Sequence, residues 1–132
     1  MKLLQAIPAL PVQSIAKSAA FYRDQLGFTV HVEEEGFAIL RHGPVDLHLW
    51  ASDDESWRER SAAPPIVSGA ESFIAGTASC RIGVEGADDL YQTFEPRGVM
   101  HPNGHITDTD WNTREFGVLD LEGNLITFFE RK

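Results

Sequence analysis

Hydrophobic and polar positions recur with a period that changes along the chain, and each change predicts an element. Residues 3–12, LLQAIPALPV, are apolar and read as a strand, but Pro8 and Pro11 cannot donate to a β-ladder. They place that strand at an edge, at a bend or at a crossing between subunits. Ser14 supplies an N-cap, and Ile15, Ala19, Phe21, Tyr22 and Leu26 recur at helical spacing until Gly27, which predicts one amphipathic helix stopped by a glycine. From Phe28 to Trp50 the period is strand-like, with breaks at Glu34–Gly36 and His42–Pro44, so three short strands joined by tight turns are expected. The second half repeats the plan. Ser79–Val84 alternates as a strand, Asp88–Glu95 is helical, Pro96 and Gly98 close that helix, and Glu115–Leu119 and Leu125–Glu130 are strands. Matching positions are offset by 72 residues at Val12 and Val84, 70 at Tyr22 and Gln92, 71 at Gly27 and Gly98, and 79 at Phe37 and Phe116. A longer loop over His101–Thr113 accounts for the jump. Between the halves, residues 53–77 are polar, carry Pro64–Pro65, and read as a long loop with a helical turn at Glu55–Arg60.

Length and charge narrow the picture. At 132 residues the chain is expected to form a single domain, with module one at about 1–52, a connection at about 53–77 and module two at about 78–132. Twenty acidic and eleven basic side chains give a net charge of −9, a field that repels a phosphate backbone and concentrates cations, so nucleic acid is not an expected partner. The single cysteine, Cys80, excludes an internal disulfide and any multi-cysteine metal site, which fits a reducing, cytoplasmic setting. The N-terminal apolar run meets Pro8 too early to be a secretion signal, and no stretch approaches the ~20 residues of a membrane span.

Candidate chemistry is defined as much by what is missing. His31, His42, His48, His101 and His105 show no metal-motif spacing, and Pro102 and Gly104 forbid the helix that would put His101 and His105 on one face. No bound metal or other cofactor is expected. Ser68 and Ser79 lack the glycines of a nucleophile elbow, Cys80 reads as a small buried hydrophobe, and Gly69–Gly76 has neither a lysine nor phosphate-loop spacing. The aromatic residues say more. Asp46, His48 and Trp50 share one strand face and Leu47 and Leu49 the other, so one face is oily and the opposite one polar and aromatic. Phe37 follows the acidic run Glu33–Glu35, and Trp111 stands among Asp108, Asp110 and Asn112. Rings beside carboxylates suit either solvated turns and packed loops or a cleft that stacks a flat, positively charged guest.

The helix string SAAFYRDQLGF, the strands GFAILRHGPVDLHLW, the block GAESFIAGTASCRIGVEGADDLY and the ending REFGVLDLEGNLITFF resemble the bleomycin resistance branch of the vicinal-oxygen-chelate (glyoxalase/dioxygenase) superfamily, from about Ala6 to Phe129. The resemblance implies an α+β fold of two βαβββ modules, each a curled mixed sheet, in a strand-exchanged homodimer with two interfacial clefts. Superfamily enzymes hold a metal on four equivalent positions, which fall here at Ile7, Ser79, Thr127 and either Asp46 or His48. An alkyl chain and two neutral hydroxyls are poor ligands. The resemblance therefore implies no enzyme but a protein that sequesters bleomycin-type glycopeptides without modifying them. Phe37 and Trp111 take the stacking positions, with Val32 where relatives carry another phenylalanine, so Trp50 or His31 completes the sandwich; His48 and Asn112 line it. Two alternatives stay open: a metal-dependent lyase or thiol transferase of the same superfamily, and a binder of some other flat cationic natural product.

Overall fold

The computed structural model describes residues 1–52, 56–59 and 72–132. Helix α1 (Ile15–Leu26) begins where the Ser14 hydroxyl accepts from the Lys17 amide at 3.2 Å and ends at Gly27, whose φ of 81° is left-handed and open to glycine without a Cβ clash. Around it, β1 (Ala9–Val12), β2 (Thr29–Glu33), β3 (Phe37–His42) and β4 (Val45–Ala51) form a four-stranded sheet in the order β1-β4-β3-β2. β1 runs parallel to β4 and the other pairs are antiparallel. The second half builds the same sheet from β5 (Ser79–Gly83), β6 (Thr107–Asp108), β7 (Thr113–Leu119) and β8 (Leu125–Arg131), ordered β5-β8-β7-β6, with α2 (Ala87–Phe94) between β5 and β6. The fold is thus α+β, with two βαβββ modules of mixed sheet.

Burial follows the strand period. Leu47 and Leu49 are fully buried with Leu10, Ala38, Leu40 and the α1 residues Ile15, Ala19 and Tyr22, while Asp46, His48 and Trp50 stay half-open on the other face. In the second module Phe116 stacks on Phe128 with ring centroids 5.3 Å apart, beneath Phe94 of α2. The modules are joined by the β7–β8 turn: the Tyr22 hydroxyl donates to Asp120 Oδ2 at 2.8 Å, and Asn124 donates to the Pro11 carbonyl at 3.0 Å while accepting from the Ala78 amide. Burial and the Asp120 charge push the Tyr22 hydroxyl pKa up, so it remains a donor.

Three expectations change. The opening strand is only Ala9–Val12; residues 1–7 are exposed and form no strand, with Leu3 91% and Leu4 84% exposed. Inside the expected loop over His101–Thr113, Thr107 and Asp108 pair with Glu115 and Arg114, completing the fourth strand. Phe116 is not the counterpart of Phe37. Phe37 lies opposite Trp50 on the open face, and the corresponding row of the second sheet is Gly83, Phe129 and Glu115, so the residue in its place is Glu115. A one-residue slip in the sequence match changes the face. In the connection expected over 53–77, Ser56–Glu59 forms a 3-10 turn, whereas Pro64–Pro65 and Ser68–Gly69 fall outside the described residues.

Candidate functional site

Strand pairing assembles one half of the site on the open face of the first sheet. Val32, Ile39, His48 and Ala9 form one cross-sheet row, and Phe37, Trp50 and Pro11 form the next. Phe37 meets His48 edge-on at 5.0 Å, the geometry in which ring hydrogens face a π-cloud. The β2–β3 register shifts between Val30 and Val32, leaving His31 as the extra, exposed residue of a bulge. That bulge is what brings Val32 round to the row of His48. Trp50, with Ala9, Pro11, Ala51 and Phe73, also lines a recess of about 200 Å³.

The other half belongs to the second module. Trp111 precedes β7 and lines a cleft of about 360 Å³ with His101, Gly104, Thr107, Glu115 and Thr127 among its walls. Its indole Nε1 donates to Glu115 Oε2 at 3.0 Å, yet 64% of the residue remains exposed. Glu115, only 8% exposed, also accepts from the Thr113 hydroxyl at 2.6 Å and from both terminal nitrogens of Arg81. Arg81 and the hydroxyl and indole donors pull its carboxyl pKa down to about 2. The turn beneath is closed by Thr109, whose hydroxyl contacts that of Thr113 at 2.7 Å, and by Asn112 at a left-handed φ of 69°. Close backbone approach shapes the far wall: a Cβ on Gly104 would lie 2.7 Å from the Gly117 carbonyl oxygen.

The structure therefore brings Phe37, His48, Trp50 and Val32 together, and Trp111 with Asn112, but within one chain the two groups stand on separate sheets. His31 joins neither row. Sequence reasoning missed Glu115, Arg81 and the Thr109–Thr113 pair. The available signal was period: Thr113 and Glu115 are two apart on one strand, so a hydroxyl and a carboxylate share the face beside Trp111.

The metal positions do not fit an ion. Thr127 lies opposite Arg81 in the β5–β8 ladder, Ser79 lies opposite Leu125, and Ile7 offers only an alkyl chain. The Thr127 hydroxyl is neutral and the Arg81 guanidinium, which has no lone pair to offer, is committed to Glu115, so this pair makes a poor ligand set for a divalent cation. Nor does Cys80 supply a nucleophile, since burial pushes its thiol up to about 11 and keeps it protonated at neutral pH. Among the described residues no helix is long and apolar enough to cross a membrane.

Residues 5–128 match the family described as the Glyoxalase/Bleomycin resistance protein/Dioxygenase superfamily. The chain is 55% identical over 129 residues, 98% of each chain, to a protein of Geobacillus stearothermophilus named Bleomycin resistance protein. Among solved structures, the bleomycin-binding protein of bleomycin-producing Streptomyces verticillus, complexed with copper(II)-bleomycin, superposes with a TM-score of 0.75 at 24% identity, covering 100% of this chain and 99% of that one. A lactoylglutathione lyase from Agrobacterium tumefaciens reaches the same TM-score of 0.75 at 21% identity over 96% of this chain and 92% of its own. Fold alone does not separate binder from enzyme.

Proposed function

As the chain belongs to the glyoxalase/bleomycin resistance protein/dioxygenase superfamily, we infer that it confers resistance by binding and sequestering bleomycin-type cationic glycopeptides, and does so without catalysis. The observation that carries the binding mode is the Trp111 indole, fixed at its N–H while most of the ring stands open. A large aromatic surface held still and left in water is a stacking platform, worth about 1–3 kcal/mol per stacked base-like ring. We place the planar tail of the drug between this indole and the rings of Phe37 and Trp50, with His48, Val32 and Asn112 at its edges and His31 at the rim. The net charge of −9 favours capture of a cation, an advantage that salt screens away as it rises.

Neither half of this site is complete in one chain. Two-fold pairing supplies the missing half, opposing the first-sheet face of one protomer to the second-sheet cleft of its partner and creating two equivalent clefts. The exposed apolar arm over residues 1–7 suits a crossing to that partner. In this reading residues 1–132 act as a single drug-binding domain in the cytoplasm, where the drug would otherwise reach DNA.

Titration with metal-free and with copper-loaded bleomycin, followed by tryptophan fluorescence, tests the reading. Saturable quenching at one drug per protomer is expected, with the drug recovered unchanged. Unquenched fluorescence, or a new drug product, rejects it. Light scattering during gel filtration at micromolar concentration is expected to give a dimer; a monomer rejects the interfacial cleft.

A further inference from the structure

Among the described residues, the Trp111 side chain makes one hydrogen bond. Its residue is 64% exposed, so packing does not fix the ring, and its backbone sits in the tight turn closed by Thr109 and Thr113. The bond that fixes the indole runs to Glu115 Oε2, and Glu115 is itself fixed by Thr113 from one side and Arg81 from the other. Arg81 is steadied in turn over the Phe129 ring, 4.8 Å from its centroid. Every donor in this set points at one carboxylate. A carboxylate only accepts, so the indole N–H, the hydroxyl and the guanidinium can all be satisfied together.

The same arrangement argues against a direct part in attracting the guest. Glu115 is buried, and Arg81 already neutralises its charge. We propose that Glu115 is a positioning residue that sets the Trp111 indole as the stacking platform before the drug arrives. This rests on the binding mode inferred above. Without that carboxylate the indole would have to be ordered on binding, a loss of about two- to tenfold in affinity for one immobilised side chain.

The test has a ligand-free arm and a ligand arm. In the free protein, the indole N–H resonance that disappears in Trp111→Ala identifies Trp111; in Glu115→Ala it is expected to shift upfield and exchange faster with water. An unchanged resonance overturns the proposal. For the ligand arm, bleomycin affinity is measured for the wild type, Trp111→Ala, Glu115→Ala and the double variant. Glu115→Ala is expected to weaken binding in the wild-type background and to have no further effect once Trp111 is gone. Equal weakening in both backgrounds would mean that Glu115 acts independently of the indole, and overturns the proposal; no weakening in either does the same. Glu115→Gln keeps an acceptor oxygen but not the charge, so it is expected to weaken binding less than Glu115→Ala, whereas an equal loss would mark a charge effect and count against positioning. Thermal melts of all variants separate misfolding from weakened binding. A wild type that binds no bleomycin refutes the functional reading, while the indole resonance still decides the positioning claim.

Discussion

The two modules share one sheet plan yet present their aromatic residues by different means. In the first, Phe37, His48 and Trp50 come from strands and their direction follows from the ladder register. In the second, the place of Phe37 is taken by Glu115, and the ring that serves the cleft stands on a turn outside the strands. The helices differ in the same sense. α1 has a side-chain cap of its own in Ser14, with the Glu122 carboxylate accepting from the Gln13 and Ser14 amides just ahead of it; α2 starts at Gly86 without a side-chain cap of its own and relies on the carboxylate of Glu130, which accepts from the Gly86 and Ala87 amides at 2.8 and 3.1 Å. A duplicated plan preserves backbone pairing, while each helix start also draws on a carboxylate from a distant part of the chain.

If the two modules depend on one clasp, removing it should affect the whole protein more than any local change. Asp120→Ala takes away the acceptor for the Tyr22 hydroxyl, the Asn124 side chain and the Glu122 and Asn124 amides. Chemical denaturation is expected to show a loss of about 3 kcal/mol or more, because several buried donors lose their partner at once. Next in size is Gly104→Ala, whose Cβ meets the Gly117 carbonyl oxygen at 2.7 Å and His101 Cβ at 3.0 Å. It is expected to destabilise by about 2 kcal/mol and to widen the Trp111 cleft, whereas Gly36→Ala in the first module meets nothing within 4 Å and serves as the control.

Binding should then sharpen the contrast between strand-borne and turn-borne rings. Trp111→Ala is expected to weaken bleomycin binding by about 1 kcal/mol or more in titration calorimetry, and Phe37→Ala by a comparable amount. Unequal losses would rank the two platforms. The smallest effect is the pH response of the helix starts. The Gly86 and Ala87 amides hold the Glu130 carboxyl below its ordinary 4.5, so this cap stabilises the folded state above that value and is lost as pH falls through the lowered one. Acid melts of Glu130→Gln are expected to lose part of the pH dependence that the wild type shows there, while a Ser14→Ala variant, lacking an ionisable cap, keeps it.

Much of this was legible in the chain. The two-residue alternation from Phe37 to Trp50 assigned Leu47 and Leu49 to the core and His48 and Trp50 to the open face, and Ser14 and Gly27 marked both ends of α1. Where reading failed, pairing partners were the cause. Residues 3–7 are apolar enough for a strand but form none, and Thr107–Asp108 is too short to show a period yet pairs with β7. Phe116 resembles Phe37 in type, but its neighbour Glu115 occupies the corresponding face.

By itself the sequence determined the module plan, the helix ends and the oily and open faces, because periodicity and capping are local properties. Only the tertiary structure decided that Glu115 holds the Trp111 indole, that Arg81 neutralises Glu115 and that Asp120 clasps Tyr22. Those contacts join residues from 4 to 98 positions apart, and their geometry exists only once the strands have chosen their register.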